Sequence, residues 1–271
     1  MAIREQKFES PSFARRLRGM LGVDFYRLFH TPLYYIFLCI AAIIPAMILG
    51  MTTVEGGAPL YTNTWNIVAA NTPLYVINEI GEYANMNMVF IFGGIMVSIF
   101  IGHDYKSGYV KQLFTTHPKK QDYMLSKTIT CAFSMACMCV TYLIGGVTAG
   151  LLTGSDMSVN VNSLILAILG KMVMSLGWAS LYTCLNVIFR RYFGLSIASS
   201  FFFGTGILII GAGAVLGNSS PLLNVFLYGS SVNACLNSSI FTLVICILVS
   251  VGWAILYNLL GTLILSRCDV Y

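Results

Sequence analysis

Charged side chains are scarce in this sequence. Asp, Glu, Lys and Arg make up only 9% of its 271 residues, whereas hydrophobic residues make up 57%. A typical soluble domain carries about 25% charged residues. Because each charge at the centre of a bilayer costs roughly 2.5 to 3.5 kcal/mol on insertion scales, the deficit is typical of a chain that lies in a membrane. The composition therefore predicts an integral membrane protein.

The groups that carry chemistry inside membranes are also missing. The predicted spans contain no Asp or Glu, although ion-coupled transporters generally depend on ionisable groups at membrane depth. His30, His103 and His117 all fall outside these spans. No G-x-x-x-x-G-K-S/T phosphate-binding pattern occurs, and the eight cysteines form no C-x-x-C pair. The sequence thus predicts a protein that is not an enzyme, needs no metal or cofactor, and does not hydrolyse ATP itself.

Six apolar runs remain, and each is long enough to cross a bilayer at roughly 20 residues per span. Because lipid offers no hydrogen-bond partners to an open backbone, each run is predicted to be a helix, and the fold class is all-α. The predicted spans cover about residues 33–52, 86–102, 128–152, 163–189, 193–217 and 240–265.

Basic residues indicate the orientation of these spans. With six spans, both termini lie on one side, and that side holds all of the 15 Lys and Arg residues except Lys171. The opposite side carries Glu55, Glu79, Glu82 and Asp156. The positive-inside rule then places both termini in the cytoplasm of a multi-pass cell-membrane protein. The net charge of +5 is explained by this topology, so no nucleic-acid partner is expected.

Residues 1–32 form a basic leader in front of the spanning domain, residues 33–271. Apolar Phe13 and Leu17 recur at helical spacing, with Arg16 between them. This amphipathic pattern predicts an interfacial helix with its apolar side chains in contact with membrane lipids and Arg16 more exposed to water. A solvated cytoplasmic tail is the alternative interpretation.

Four features remain open to two interpretations each. The outer loop, residues 53–85, is either an ordinary solvated loop or an acidic rim that contacts substrate. Gly213, in a Gly-x-x-x-Gly pattern, either packs helices or lies at a pathway between subunits. Lys171 either lines that pathway or extends to the outer interface, and extension to the interface is favoured. Residues 218–239 are apolar in the middle and too short to cross, so they predict a re-entrant or interfacial hairpin before the last span.

The loop between the second and third spans, residues 103–127, is polar, charged and capable of forming a helix. Tyr109, Leu113 and Phe114 are available as hydrophobic anchors, and Lys106 and Lys111 flank them. A membrane protein without an energy source of its own needs a surface on which a soluble motor can push. This loop is predicted to be that surface.

Part of this loop resembles a known family. The run Asp104-Tyr105-Lys106-Ser107-Gly108-Tyr109-Val110-Lys111-Gln112-Leu113, then Lys119-Lys120 and Tyr123-x-x-Ser126-Lys127, is similar to the corresponding stretch of type-2 ABC exporter permeases. The leader looks like their elbow helix, and the hairpin looks like their outer re-entrant helices. Tyr109 departs from the pattern, because the family often has Thr there.

The resemblance implies a permease that works beside two separate ATPase subunits and a second permease chain, as a homodimer or heterodimer. It implies a shared seam near the second and fifth spans. It also implies a hydrophobic or amphipathic substrate, such as the peptides of the small peptide-antibiotic export and immunity group. The residues expected to couple ATPase motion to the spans are Asp104, Lys106, Gly108, Tyr109, Lys111, Leu113 and Phe114.

Other classes of membrane protein are rival interpretations. An autonomous channel or carrier would work without an ATPase, so co-purification of an ATPase separates it from a permease. A membrane enzyme would need a reactive cluster at membrane depth, and a scaffold or sensor would enclose no cavity as a dimer.

Overall fold

The computed structural model of the protein describes residues 12–52, 80–116, 119–153, 161–206, 221–236 and 239–267. All regular structure in these ranges is helical, which confirms the predicted all-α class for this part of the chain. The α-helices are α1 (Phe13–His30), α2 (Pro32–Thr52), α3 (Ile80–Lys106), α4 (Tyr109–Thr116), α5 (Lys120–Thr153), α6 (Val161–Ile188), α7 (Phe193–Gly204), α8 (Leu227–Leu236) and α9 (Ile240–Arg267), with a short 3-10 helix at Pro221–Val225 before α8.

Four of these helices are long and apolar enough to cross a membrane, namely α3, α5, α6 and α9. The pair α1 and α2 gives a fifth candidate if it is taken as one span bent by 65° at the break before Pro32. The predicted run 193–217 begins as α7, but residues 207–220 lie outside the described ranges. The described helices therefore give four or five candidate spans, and six spans remain a prediction.

Helices α3 and α6 form the centre of the bundle. The spanning part of α3 is 67% buried and that of α6 is 61% buried, whereas α9 is only 22% buried. Between Met88 and Gly102, α3 has no exposed side chain. The second predicted span is thus largely enclosed within the single chain, and the expected seam with a second chain stays a prediction. Its interior contacts include the Phe90 ring, which stacks on Trp178 with ring centroids 5.5 Å apart.

A closed polar network joins α3, α6 and α7 inside the bundle. Ser98 and Ser200 share a hydrogen bond of 2.8 Å between their hydroxyl oxygens. Asn186 donates from Nδ2 to Ser98 Oγ at 3.2 Å, and Ser196 donates to the Asn186 side-chain oxygen. Because all four side chains are buried, their mutual hydrogen bonds replace water and hold α7 against the two central helices.

Helices α2 and α5 approach closely at Gly145. A Cβ atom placed on Gly145 would lie 1.9 Å from the backbone oxygen of Ala42. No side chain fits there, so the glycine is what permits the two backbones to come together.

The chain before α9 packs against the sides of α6 and α9. Leu227, at the start of α8, packs over Gly177 of α6, and Trp253 of α9 donates from Nε1 to the Val225 carbonyl at 2.8 Å. Trp253 lies near the middle of α9, about 20 Å along the helix from either end. The short 3-10 helix is therefore at mid-depth in the bundle. A re-entrant or interfacial hairpin over residues 218–239 stays a prediction, since only residues 221–236 and 239 of this stretch are described.

Candidate functional site

The described basic residues, Lys171 apart, gather at one end of the bundle. Lys127 pairs with Asp104 at 2.7 Å, which brings the start of α5 to the end of α3. Lys120 donates to the Leu265 carbonyl at 2.5 Å, which brings the start of α5 to the end of α9. This end of the bundle is called the basic end below.

A buried charge cluster of Asp24, Arg27, Asp104 and Lys127 occupies the basic end. The Lys127 ammonium lies 2.6 Å from Asp24 Oδ1 and 2.7 Å from Asp104 Oδ2. Arg27 also pairs with Asp104. The side chains of Asp24, Asp104 and Lys127 are at most 3% exposed. Two cations face two carboxylates, so the cluster is neutral as a set and can be stable away from water.

Neighbouring groups complete the contacts of this cluster. Ser126 donates to Asp24 Oδ2 at 2.6 Å. The Lys127 ammonium lies 4.7 Å from the centroid of the Phe100 ring, and the Arg27 guanidinium lies 4.3 Å from that of Tyr109. Through these contacts the cluster joins α1, α3 and α5 and reaches the first residue of α4. These elements are therefore held together at the basic end by one set of contacts.

Helix α4 is a short helix between two long ones. Gly108 adopts a φ of 72°, a left-handed conformation that glycine tolerates best, and so allows the sharp turn from α3 into α4. Val110 is buried on the inner face. The outward face carries Lys111, Gln112 and Thr115, all exposed. Helix α4 therefore presents a polar face outward while its apolar face holds it to the bundle.

The expected coupling residues do not all lie on that outward face. Leu113 and Phe114 are half-buried, and the Phe114 ring packs edge-on against Tyr123 of α5 at 5.6 Å between centroids. Asp104 and Tyr109 contact the charge cluster, whereas Lys106 and Lys111 are exposed. All three expected hydrophobic anchors, Tyr109 included, are thus partly occupied by contacts within the chain.

The leader residues fold onto the bundle through α1. Arg16 contacts Asp122 of α5, with 2.8 Å between Nε and Oδ2, and its side chain is 14% exposed. Asp122 thus draws Arg16 inward, and the expected contacts of the leader with lipid and water stay predictions. Phe13 is 50% exposed and Leu17 is half-buried.

Lys171 also turns inward. It is 2% exposed, and its ammonium lies 5.5 Å from the centroid of the Phe90 ring. In the single chain this side chain is therefore enclosed by the bundle, and whether it lines a pathway or extends to the outer interface stays a prediction. Lys171 is about 26 Å along α6 from Ile188, far from the basic end. Gly213 lies outside the described residues.

Sequence reasoning missed Asp24 as a site residue. It occupies the buried face of α1 between Met20 and Leu28, at the i, i+4 spacing of that apolar face. An acidic residue at such a position is a signal of a buried ion pair. The sequence pattern includes Lys127 as the last residue of the permease-like run but does not reveal its pairing with Asp24. The two residues are 103 positions apart in the sequence.

No protein-family model matches this chain, and a search of curated proteins finds no significant similarity. The long apolar helices and the gathering of basic residues at one end define a multi-pass membrane protein.

Proposed function

We propose that this chain is the membrane-spanning permease subunit of an ABC exporter, powered by a separate ATPase. The observation that carries the proposal is α4: a short helix with a polar outward face, set between two spanning helices at the basic end and joined to the bundle by the buried charge cluster. An ATPase that docks on α4 would move a rigid unit. The absence of a nucleotide-binding motif in the sequence agrees with a separate motor.

The charge cluster supplies the mechanical link in this mechanism. Arg27 pairs with Asp104 and its guanidinium lies over Tyr109, the first residue of α4. Lys127 then joins Asp104 of α3 to Asp24 of α1. Closure of two ATPase subunits below the membrane would therefore push α4 and carry α1, α3 and α5 with it as one body.

The remaining parts of the proposal concern topology, partners and cargo. Six spans, with both termini in the cytoplasm, place the basic end next to the ATPases. A second permease chain, identical or different, completes the pathway. The apolar composition suits a hydrophobic or amphipathic cargo, such as a peptide.

The outward face of α4 provides the test. Lys111→Glu combined with Thr115→Glu changes only exposed positions, so the bundle should remain folded. We expect substrate-stimulated ATP hydrolysis by the reconstituted complex to fall by about tenfold or more, since the changes introduce repulsion at the docking contact. Changes at Leu113 or Phe114 would be less informative, because these side chains also pack inside the chain.

The matched control changes the same kinds of residue elsewhere at the basic end. Ser266→Glu combined with Arg267→Glu alters two exposed positions at the end of α9 and should retain stimulated hydrolysis. An equal loss in both pairs of variants would contradict docking on α4. Transport by the purified chain in vesicles without any ATPase would contradict the proposed class and favour an autonomous carrier.

A further inference from the structure

A cleft of about 230 Å³ opens at the basic end, between the end of α3 and the turn that joins α6 to α7. Three basic side chains line it: Lys106 from α3, and Arg190 and Arg191 from the turn. No carboxylate is among its described lining residues. Asp104 is on another side of α3, where Arg27 and Lys127 engage it. The cleft therefore carries an excess of positive charge.

The cleft also contains hydrogen-bond donors that no described residue lining it accepts from. Arg190 Nη1 is buried and has no hydrogen-bond partner in the described part of the chain. Helix α7 begins at the cleft with Phe193, and the residue before it, Tyr192, makes no side-chain capping hydrogen bond. A helix start with free backbone N–H groups favours a negative charge. Guanidinium groups beside it suit a phosphate, because they offer paired N–H donors in one plane.

The apolar walls indicate which phosphate compounds suit the cleft. Phe189 and Phe193 line it beside the cations, and the Lys106 ammonium lies 4.2 Å from the centroid of the Phe193 ring. The space is open on one side and is large enough for a head group but not for acyl chains. Basic pockets between spanning helices at the cytoplasmic side are favourable sites for anionic lipid head groups.

We infer that this cleft binds a phosphate group, with the head group of an anionic phospholipid as the source that its apolar walls favour. A soluble phosphate has the same chemistry, and the experiment below distinguishes the two sources. The inference does not depend on the proposed permease function, because it concerns binding by the chain alone.

The binding test uses the full-length chain in detergent, with bound lipid counted by native mass spectrometry. We expect the wild-type protein to retain phosphatidylglycerol about tenfold more strongly than phosphatidylcholine. The triple variant Lys106→Gln, Arg190→Gln, Arg191→Gln should lose this preference. The double variant Lys106→Gln, Arg191→Gln changes exposed residues alone and should lose most of it, which keeps the test decisive if the triple variant fails to fold.

The control variant Arg15→Gln, Arg18→Gln, Arg267→Gln removes three charges, as many as the triple variant, from exposed positions outside the cleft and should keep the preference. Equal retention of the two lipids by the wild-type protein would overturn the inference, and so would a double variant that binds like the wild type. Addition of inorganic phosphate identifies the source. If millimolar phosphate displaces no lipid, the site is a lipid site; if it raises the melting temperature of the lipid-free wild type but not of the double variant, the cleft takes soluble phosphate.

Discussion

Replacement of Lys127 by methionine is expected to lower the free energy of unfolding by about 3 to 5 kcal/mol. Methionine keeps a long side chain but removes the ammonium that lies within 2.7 Å of both Asp24 and Asp104. The two carboxylates then remain buried with Arg27 as their only nearby cation within the cluster. Unfolding in mixed micelles, titrated with sodium dodecyl sulfate, measures the change.

Two further variants make this prediction specific. Lys119→Met removes an exposed lysine a short distance away in sequence and should change stability by no more than about 0.5 kcal/mol. Asp24→Asn combined with Lys127→Met removes one charge of each sign, so it should recover about 1 kcal/mol or more relative to Lys127→Met alone. If Lys127→Met is no more harmful than Lys119→Met, the buried charge cluster does not stabilise the fold as argued.

Replacement of Gly145 by alanine is expected to destabilise the protein by about 1 to 3 kcal/mol, although alanine is the better helix former. The added methyl group would lie 1.9 Å from the Ala42 backbone oxygen. A side chain could rotate away from such a contact, but a backbone carbonyl within α2 cannot. Helices α2 and α5 must therefore separate. The melting temperature in detergent, followed by far-ultraviolet circular dichroism, reports the loss.

Gly252→Ala is the matched control. Gly252 lies in α9 at an exposed position, and a Cβ atom there would meet nothing within 4 Å. The substitution should be neutral or slightly stabilising. Similar melting temperatures for the two variants would show that close approach of α2 and α5 at Gly145 is not needed for stability.

The apolar runs in the sequence predicted the positions of the long helices well, but they predicted the residues at which the helices begin and end less well. The predicted span 240–265 corresponds to Ile240–Arg267, and 163–189 corresponds to Val161–Ile188. The prediction for 128–152 began too late, because α5 starts at Lys120. Its polar first turns find partners on other helices, as in the contact between Arg16 and Asp122. A helix can thus continue beyond its apolar run wherever tertiary contacts satisfy its polar side chains.

The candidate site was less accessible to sequence reasoning than the fold. The coupling loop and its helix could be recognised locally, since α4 and Gly108 belong to one short segment. The inward orientation of the Lys171 side chain could not be predicted locally, because it depends on a contact with Phe90 from another helix. The partnership of Asp24 with Lys127 joins residues 103 positions apart, and periodicity within one helix carries no information about such a distant pair.

That separation also bears on how the protein is made. At about 5 to 20 residues per second, a ribosome adds Lys127 roughly 5 to 20 s after Asp24. During this interval α1 has a carboxylate whose partner on α5 has not yet been synthesised. An unpaired Asp24 carboxylate is then most stable in water, so α1 is expected to stay at the membrane surface during this interval. Arg27 can meet Asp104 of α3 earlier, but the arrival of Lys127 is expected to be the step that lets Asp24 leave water and α1 dock on α5.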